Sequence, residues 1–138
     1  MSMRHGILCA ALCAALGSAS PATHAHHSIS GVYDSARQQR VEAVVAEFKF
    51  VNPHPFLIVT VEADGAAQAW RLEMDNRFEL ADVGMTESTL KPGDRIVVTG
   101  SLGRTEPHTL YIRRLDRPAD GFRYEQVGTR PRVSTVRR

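Results

Sequence analysis

Thiols are almost missing from this 138-residue chain: Cys9 and Cys13 are its two cysteines, and none follows them. From residue 14 onward there is therefore no disulfide framework and no cysteine metal site. Lysine is nearly as scarce, with only Lys49 and Lys91, and arginine supplies the remaining basic residues of a chain whose formal net charge is +2. That near-balance gives no mandate for nucleic-acid binding. No apolar run reaches the ~20 residues a membrane span needs. There is no glycine-rich phosphate loop, no serine elbow and no HExxH pair, so enzymatic activity is not expected. The hydrophobic share of 43% is that of a globular protein, and the length allows one domain.

The first residues carry the pattern of an export signal. Met1-Ser2-Met3-Arg4-His5 gives a positive start, Gly6 to Leu16 an apolar stretch, and Gly17 to Ala22 a small-residue exit. A cut after Ala25 has Thr23 and Ala25 at the positions that want small residues and frees His26 as the new N-terminus; cuts after Ala19 or Ala22 are the alternatives, and a retained anchor is disfavoured by the short run. Neither cysteine sits in a good lipoprotein context. The expected location is the periplasm.

Residues 26–39 lack apolar periodicity and read as an extended N-terminal arm. From Arg40 the pattern has period two, with Val44, Ala46, Phe48 and Phe50 on one face of a first strand. Asn52-Pro53-His54-Pro55 breaks it, because proline lacks a donor and keeps the preceding residue out of helical angles. Phe56 to Ala63 is a second strand, Asp64-Gly65 a hairpin turn, and Ala69 to Met74 a third strand with Trp70, Leu72 and Met74 on one face. Asn76 to Val83 has helical spacing with Gly84 as a stop. Lys91-Pro92-Gly93-Asp94 is a tight turn into a fourth strand, Arg95 to Ser101, with Ile96 and Val98 inward; Thr109 to Leu115 is the fifth.

Three strands, a short helix and two strands is the order of an OB-fold, so the expected fold is mainly β: a small five-stranded OB-fold-like barrel over residues 40–116, with one short helix between strands three and four. A small sandwich or open roll is the alternative. Residues 117–138, arginine-rich and punctuated by Pro118, Gly121, Gly128 and Pro131, read as a largely disordered basic tail.

Several pieces, in this order, carry a resemblance: His26-His27-Ser28, Tyr33-Asp34, Val51-Asn52-Pro53-His54, Trp70-Arg71-Leu72-Glu73, Gly84-Met85-Thr86, Leu90-Lys91-Pro92-Gly93-Asp94 and Asp120-Gly121. The chain resembles a widespread family of small exported proteobacterial proteins of unknown function, from His26 to about Gly121. The resemblance implies an exported location and a small β fold, not a reaction. It weakens at Met74-Asp75-Asn76-Arg77-Phe78, which departs from the usual pattern after the Trp-x-x-Glu strand.

Histidine supplies the candidate chemistry. A free α-amino group at His26 and the same residue's Nδ1 can chelate one ion, and an all-nitrogen planar set completed by His27 or His54 suits Cu(II) better than zinc. Neighbouring side chains of an extended segment point apart, so His54 is the natural partner of His26. Against this stands a plain reading in which His26 and His27 merely flank the cleavage site and His54 is a turn residue. Trp70 is expected in the core, Glu73 in an ion pair with an arginine across the sheet, and His108 in an exposed loop. Two functions follow: a periplasmic binding module for a metal, copper, held by His26, His27 and His54, or a metal-free accessory that docks on another envelope protein through the loop after strand one.

Overall fold

The computed structural model describes residues 28–136. After a four-residue helical turn, α1 (Ile29–Val32), come β1 (Tyr33–Lys49), β2 (Phe56–Ala63), β3 (Ala66–Glu73), α2 (Arg77–Asp82), β4 (Arg95–Gly103), β5 (Thr109–Arg117), β6 (Phe122–Val127) and β7 (Arg130–Thr135). The chain is mainly β. Its strands run in the order β3-β2-β1-β4-β5-β6-β7, and a parallel pairing of β3 with β5 joins the ends of the first five.

Period-two patterning explains which side of each strand is buried. Leu57, Val59 and Val61 of β2, Trp70 and Leu72 of β3, Ile96 and Val98 of β4, and Leu110, Ile112 and Leu115 of β5 fill one core, closed by Leu80, Met85 and Leu90 from the segment between β3 and β4. β1 is long enough to serve two partners. Its first part pairs with β4 and its second with β2, the handover falling at Val44. A bulge between Val45 and Glu47 shifts the phase there, so Val41, Ala43 and Val45 point inward and Ala46 outward. That corrects the uniform alternation expected from Val44 and Ala46, since a single extra residue exchanges the faces.

The turns follow their chemistry. Asp64 and Gly65 both have positive φ, 52° and 76°, as a two-residue hairpin requires. The Asp94 N–H donates to Lys91 O at 3.0 Å, closing the turn over residues 91–94. Asn76 caps α2 by accepting from the Glu79 N–H at 2.9 Å. At Gly100 a Cβ would stand 2.1 Å from the Tyr111 carbonyl oxygen, so only glycine lets β4 approach β5 beside its bulge.

The described residues form seven strands rather than five, and residues 117–138 are not a loose tail over their described part: β6 and β7 form an antiparallel hairpin whose Tyr124 is fully buried. Phe122 and Tyr124 alternate with Arg123 and Glu125, and those charged residues hide the pattern. The arm likewise enters the sheet, because β1 starts at Tyr33 and bonds to the end of β4.

Candidate functional site

Asn52-Pro53-His54-Pro55 lies between β1 and β2, and its backbone cannot satisfy itself, since neither proline donates. The segment after β3 does it instead. Met74 N–H donates to Pro55 O at 2.9 Å and Arg77 N–H to Pro53 O at 3.0 Å, while Arg77 Nε reaches Phe50 O at 3.2 Å. The Arg77 guanidinium also lies 5.0 Å from the Phe50 ring centre. The loop is thus strapped to residues 74–77 along its length.

His54 sits inside that strap. Its Nδ1 is 3.2 Å from the Met74 carbonyl oxygen. A carbonyl only accepts, so in this contact Nδ1 carries the proton and the neutral ring keeps its lone pair on Nε2. No hydrogen bond to Nε2 occurs among the described residues. The ring is three-quarters covered, at 25% exposure, and Nδ1 also faces Glu73 Oε1 at 3.9 Å.

Glu73 ends β3 on the outward face, with its carboxylate 15% exposed. Its Oε2 accepts from the Tyr33 hydroxyl at 2.6 Å and from Arg71 at 3.4 Å. Arg71 stands on the same strand two residues away, so the ion pair expected across the sheet runs along one strand instead. Tyr33 is buried at 3% exposure and packs near Tyr111 with ring centres 5.7 Å apart. Burial first, then the bond to Glu73, raises the Tyr33 phenol above its ordinary range, so it stays protonated and donates. Tyr111 is raised in the same direction, chiefly by burial.

The arm therefore reaches the site at Tyr33, and Arg104 holds what precedes it. Arg104 donates from its backbone to Val32 O at 2.9 Å and from Nε to Ser30 O at 3.0 Å, and pairs with Asp34 at 3.6 Å. His26 and His27 lie outside the described residues, as does the expected cut after Ala25. Of the three histidines expected to bind metal, the structure places His54 alone.

Among the described residues, no group of three or more His, Cys, Asp or Glu side chains is placed to hold a metal ion. His54 and Glu73 form a pair, with Nδ1 and Oε1 3.9 Å apart. His108 is exposed, as expected, and covers Trp70 with ring centres 5.1 Å apart. A groove of about 680 Å³ lies elsewhere: Glu42, Val44, Thr60, Glu62, Arg95 and Val97 are among its lining, and none of the cluster residues is.

Sequence reasoning missed Tyr33 and the part Glu73 plays. The signal was present, since Tyr33-Asp34, Asn52-Pro53-His54 and Trp70 to Glu73 had each been singled out, but only the fold brings them together.

No helix among the described residues is long and apolar enough to cross a membrane. No curated protein matches the chain. A solved structure, the complex of TiaS with an isoleucine transfer RNA and ATP, is similar at 15% identity with a TM-score of 0.42, over 77% of this chain and 30% of that one. This chain thus spans about a third of that protein's length, and a likeness so weak carries no argument. The pattern of a family of unknown function, DUF6152, matches residues 14–110, well over half of the chain and including Tyr33, His54 and Glu73. This protein belongs to the DUF6152 family.

Proposed function

We propose that the protein is a periplasmic OB-fold-like binding module that holds a transition metal, copper, through His26, His27 and His54. The observation that carries this reading is the state of His54: its Nδ1 is occupied by the Met74 carbonyl, which leaves Nε2 as the nitrogen available to a metal. Metal-ligating histidines are commonly oriented this way, with the second ring nitrogen bonded to a carbonyl or carboxylate.

The arm supports the same reading. Tyr33 touches Glu73, which is 3.9 Å from His54, and His26 precedes Tyr33 by seven residues. Even with the α1 turn, that length spans up to about 20 Å, at ~3.3–3.6 Å per extended residue. The contacts of Arg104 with Ser30 and Val32 hold the described end of the arm. The barrel reading of the first five strands draws support from their pairing, in which β3 bonds to both β2 and β5. On an OB-fold the loop after the first strand belongs to the usual ligand face.

The test begins with mass spectrometry of the exported protein to fix its first residue, followed by Cu(II) and Zn(II) titration. The expected result is His26 at the N-terminus and one-to-one copper binding. His54→Ala should lower that affinity at least tenfold, and acidification should release the metal as protons compete for the nitrogens. Copper binding indifferent to His54→Ala would remove the chelate and favour the metal-free docking accessory.

A further inference from the structure

We propose that Glu73 is the positioning residue that fixes the tautomer and ring orientation of His54, with Tyr33 as the residue that holds Glu73 in place. The consequence for metal binding rests on the function proposed above, but the positioning itself does not.

The geometry is one-sided. Two oxygen atoms, Met74 O at 3.2 Å and Glu73 Oε1 at 3.9 Å, lie against Nδ1. A proton on Nδ1 is therefore met by a carbonyl dipole and a carboxylate charge together, whereas a lone pair there would face both. A solvated neutral histidine side chain prefers its proton on Nε2, so the site must overcome that preference. The carboxylate is no free surface group. Tyr33 takes Oε2 at 2.6 Å from a buried ring and Arg71 takes it at 3.4 Å, which leaves Oε1 turned to the imidazole. Arg71 is itself seated 4.1 Å over the Phe56 ring, so Phe56 holds Arg71, Arg71 holds Glu73, and Glu73 faces His54.

The same chain of contacts explains why Glu73 ends β3 where it does. Glu73 pairs with Phe56 in β2 and with Tyr111 in β5, so it stands at the junction of three strands, and β1 sends Tyr33 to meet it. A carboxylate held by Tyr33 and Arg71, on a backbone paired with β2 and β5, is a rigid reference for the loop that holds His54, two residues before Phe56. Losing such a group typically weakens metal affinity by about 10–100-fold without removing a ligand.

The experiment is long-range ¹H–¹⁵N NMR of the histidine side chains in the metal-free protein, at a pH where the imidazoles are neutral. The wild type should show His54 with its proton on Nδ1. Glu73→Gln should move the population toward the Nε2–H form, because the amide of glutamine offers a donor to Nδ1. Tyr33→Phe keeps the ring beside Tyr111 and frees only the carboxylate, so it should move the population in the same direction by less. Backbone amide spectra establish that each variant is folded, and Tyr33→Phe decides the matter if Glu73→Gln does not fold. Copper affinity should fall about tenfold or more in Glu73→Gln, on the scale of such losses elsewhere. An Nε2–H tautomer in the wild type, or a tautomer untouched by both variants, overturns the proposal. A tautomer that switches as expected in a protein that binds no copper upholds the positioning and rejects the metal function.

Discussion

The loop of residues 50–55 and the hairpin of β6 and β7 stand on either side of one short segment, residues 74–77, and are held to it by opposite means. The loop buries Pro55 and rests Phe50 against the core, but its middle, Val51 to Pro53, is exposed, and it is fixed mainly by polar contacts: two backbone bonds from Met74 and Arg77, the His54 ring on Met74 O, and Arg77 on Phe50 O. The hairpin is fixed by burial, with Tyr124 at 0% exposure and Phe122 and Val133 packed against the core. Gln126 Nε2 donates to Asp75 Oδ2 at 2.5 Å and links it to the segment. A site residue needs a fixed orientation, which directional hydrogen bonds provide. A structural flap needs only attachment, which area provides.

That contrast can be broken from the hairpin side with the largest effect. Tyr124→Ala removes a fully buried ring and should destabilise the protein by about 3–5 kcal/mol in chemical denaturation, as other large aromatic truncations do. The chemical environment of His54 should change far less than the amides of β6 and β7. Gln126→Ala is smaller. It leaves Asp75 with only the Asn76 N–H, and about 1–2 kcal/mol is the expected loss.

Acid should loosen the hairpin as well. Burial works most strongly against ionising Asp116, but hydrogen bonds from Arg114 and Arg123 outweigh it and hold its carboxyl below the ordinary value of 3.8; Asp120 is lowered mainly by its bond to Arg117. A depressed folded-state pKa stabilises the fold above the unfolded value and stops doing so as pH falls through the folded one. Thermal melts should therefore be insensitive to these groups near pH 5 and drop once pH goes below the ordinary value of 3.8, with β6 and β7 amides exchanging first. The smallest effect belongs to Phe78→Ser on α2. Its side chain is 68% exposed, so stability should change by no more than about 0.5 kcal/mol.

Much of the β framework was legible, for a physical reason. β2 was expected at Phe56 to Ala63 and lies there, because β-branched and apolar residues run between a Pro-rich break and an Asp-Gly turn. α2 was readable from the helical spacing of Asn76 to Val83 and from Gly84 as a stop. β6 and β7 were not. Arg123, Arg130 and Arg132 make the segment look like a solvated tail, and whether Tyr124 is buried depends on a core built by distant strands. The phase change at Ala46 was equally invisible, since a bulge is a matter of pairing and not of composition. Of the site, the sequence offered His54 and Glu73 as separate features. The pairing of β2 with β3 brings them together, and Tyr33, which lies 40 residues before Glu73 in the chain, holds the carboxylate. The stretch Met74 to Phe78, where the family resemblance weakens, contains the strap that holds the loop.

The most direct test of the copper chelate is a Cu(II) competition titration of protein beginning at His26, measured beside the same protein with one extra residue ahead of it. A chelate made by the α-amino group, the His26 ring and His54 predicts tight one-to-one binding that weakens at least tenfold in the extended protein. Equal affinity in the two, or no copper binding in either, would contradict it.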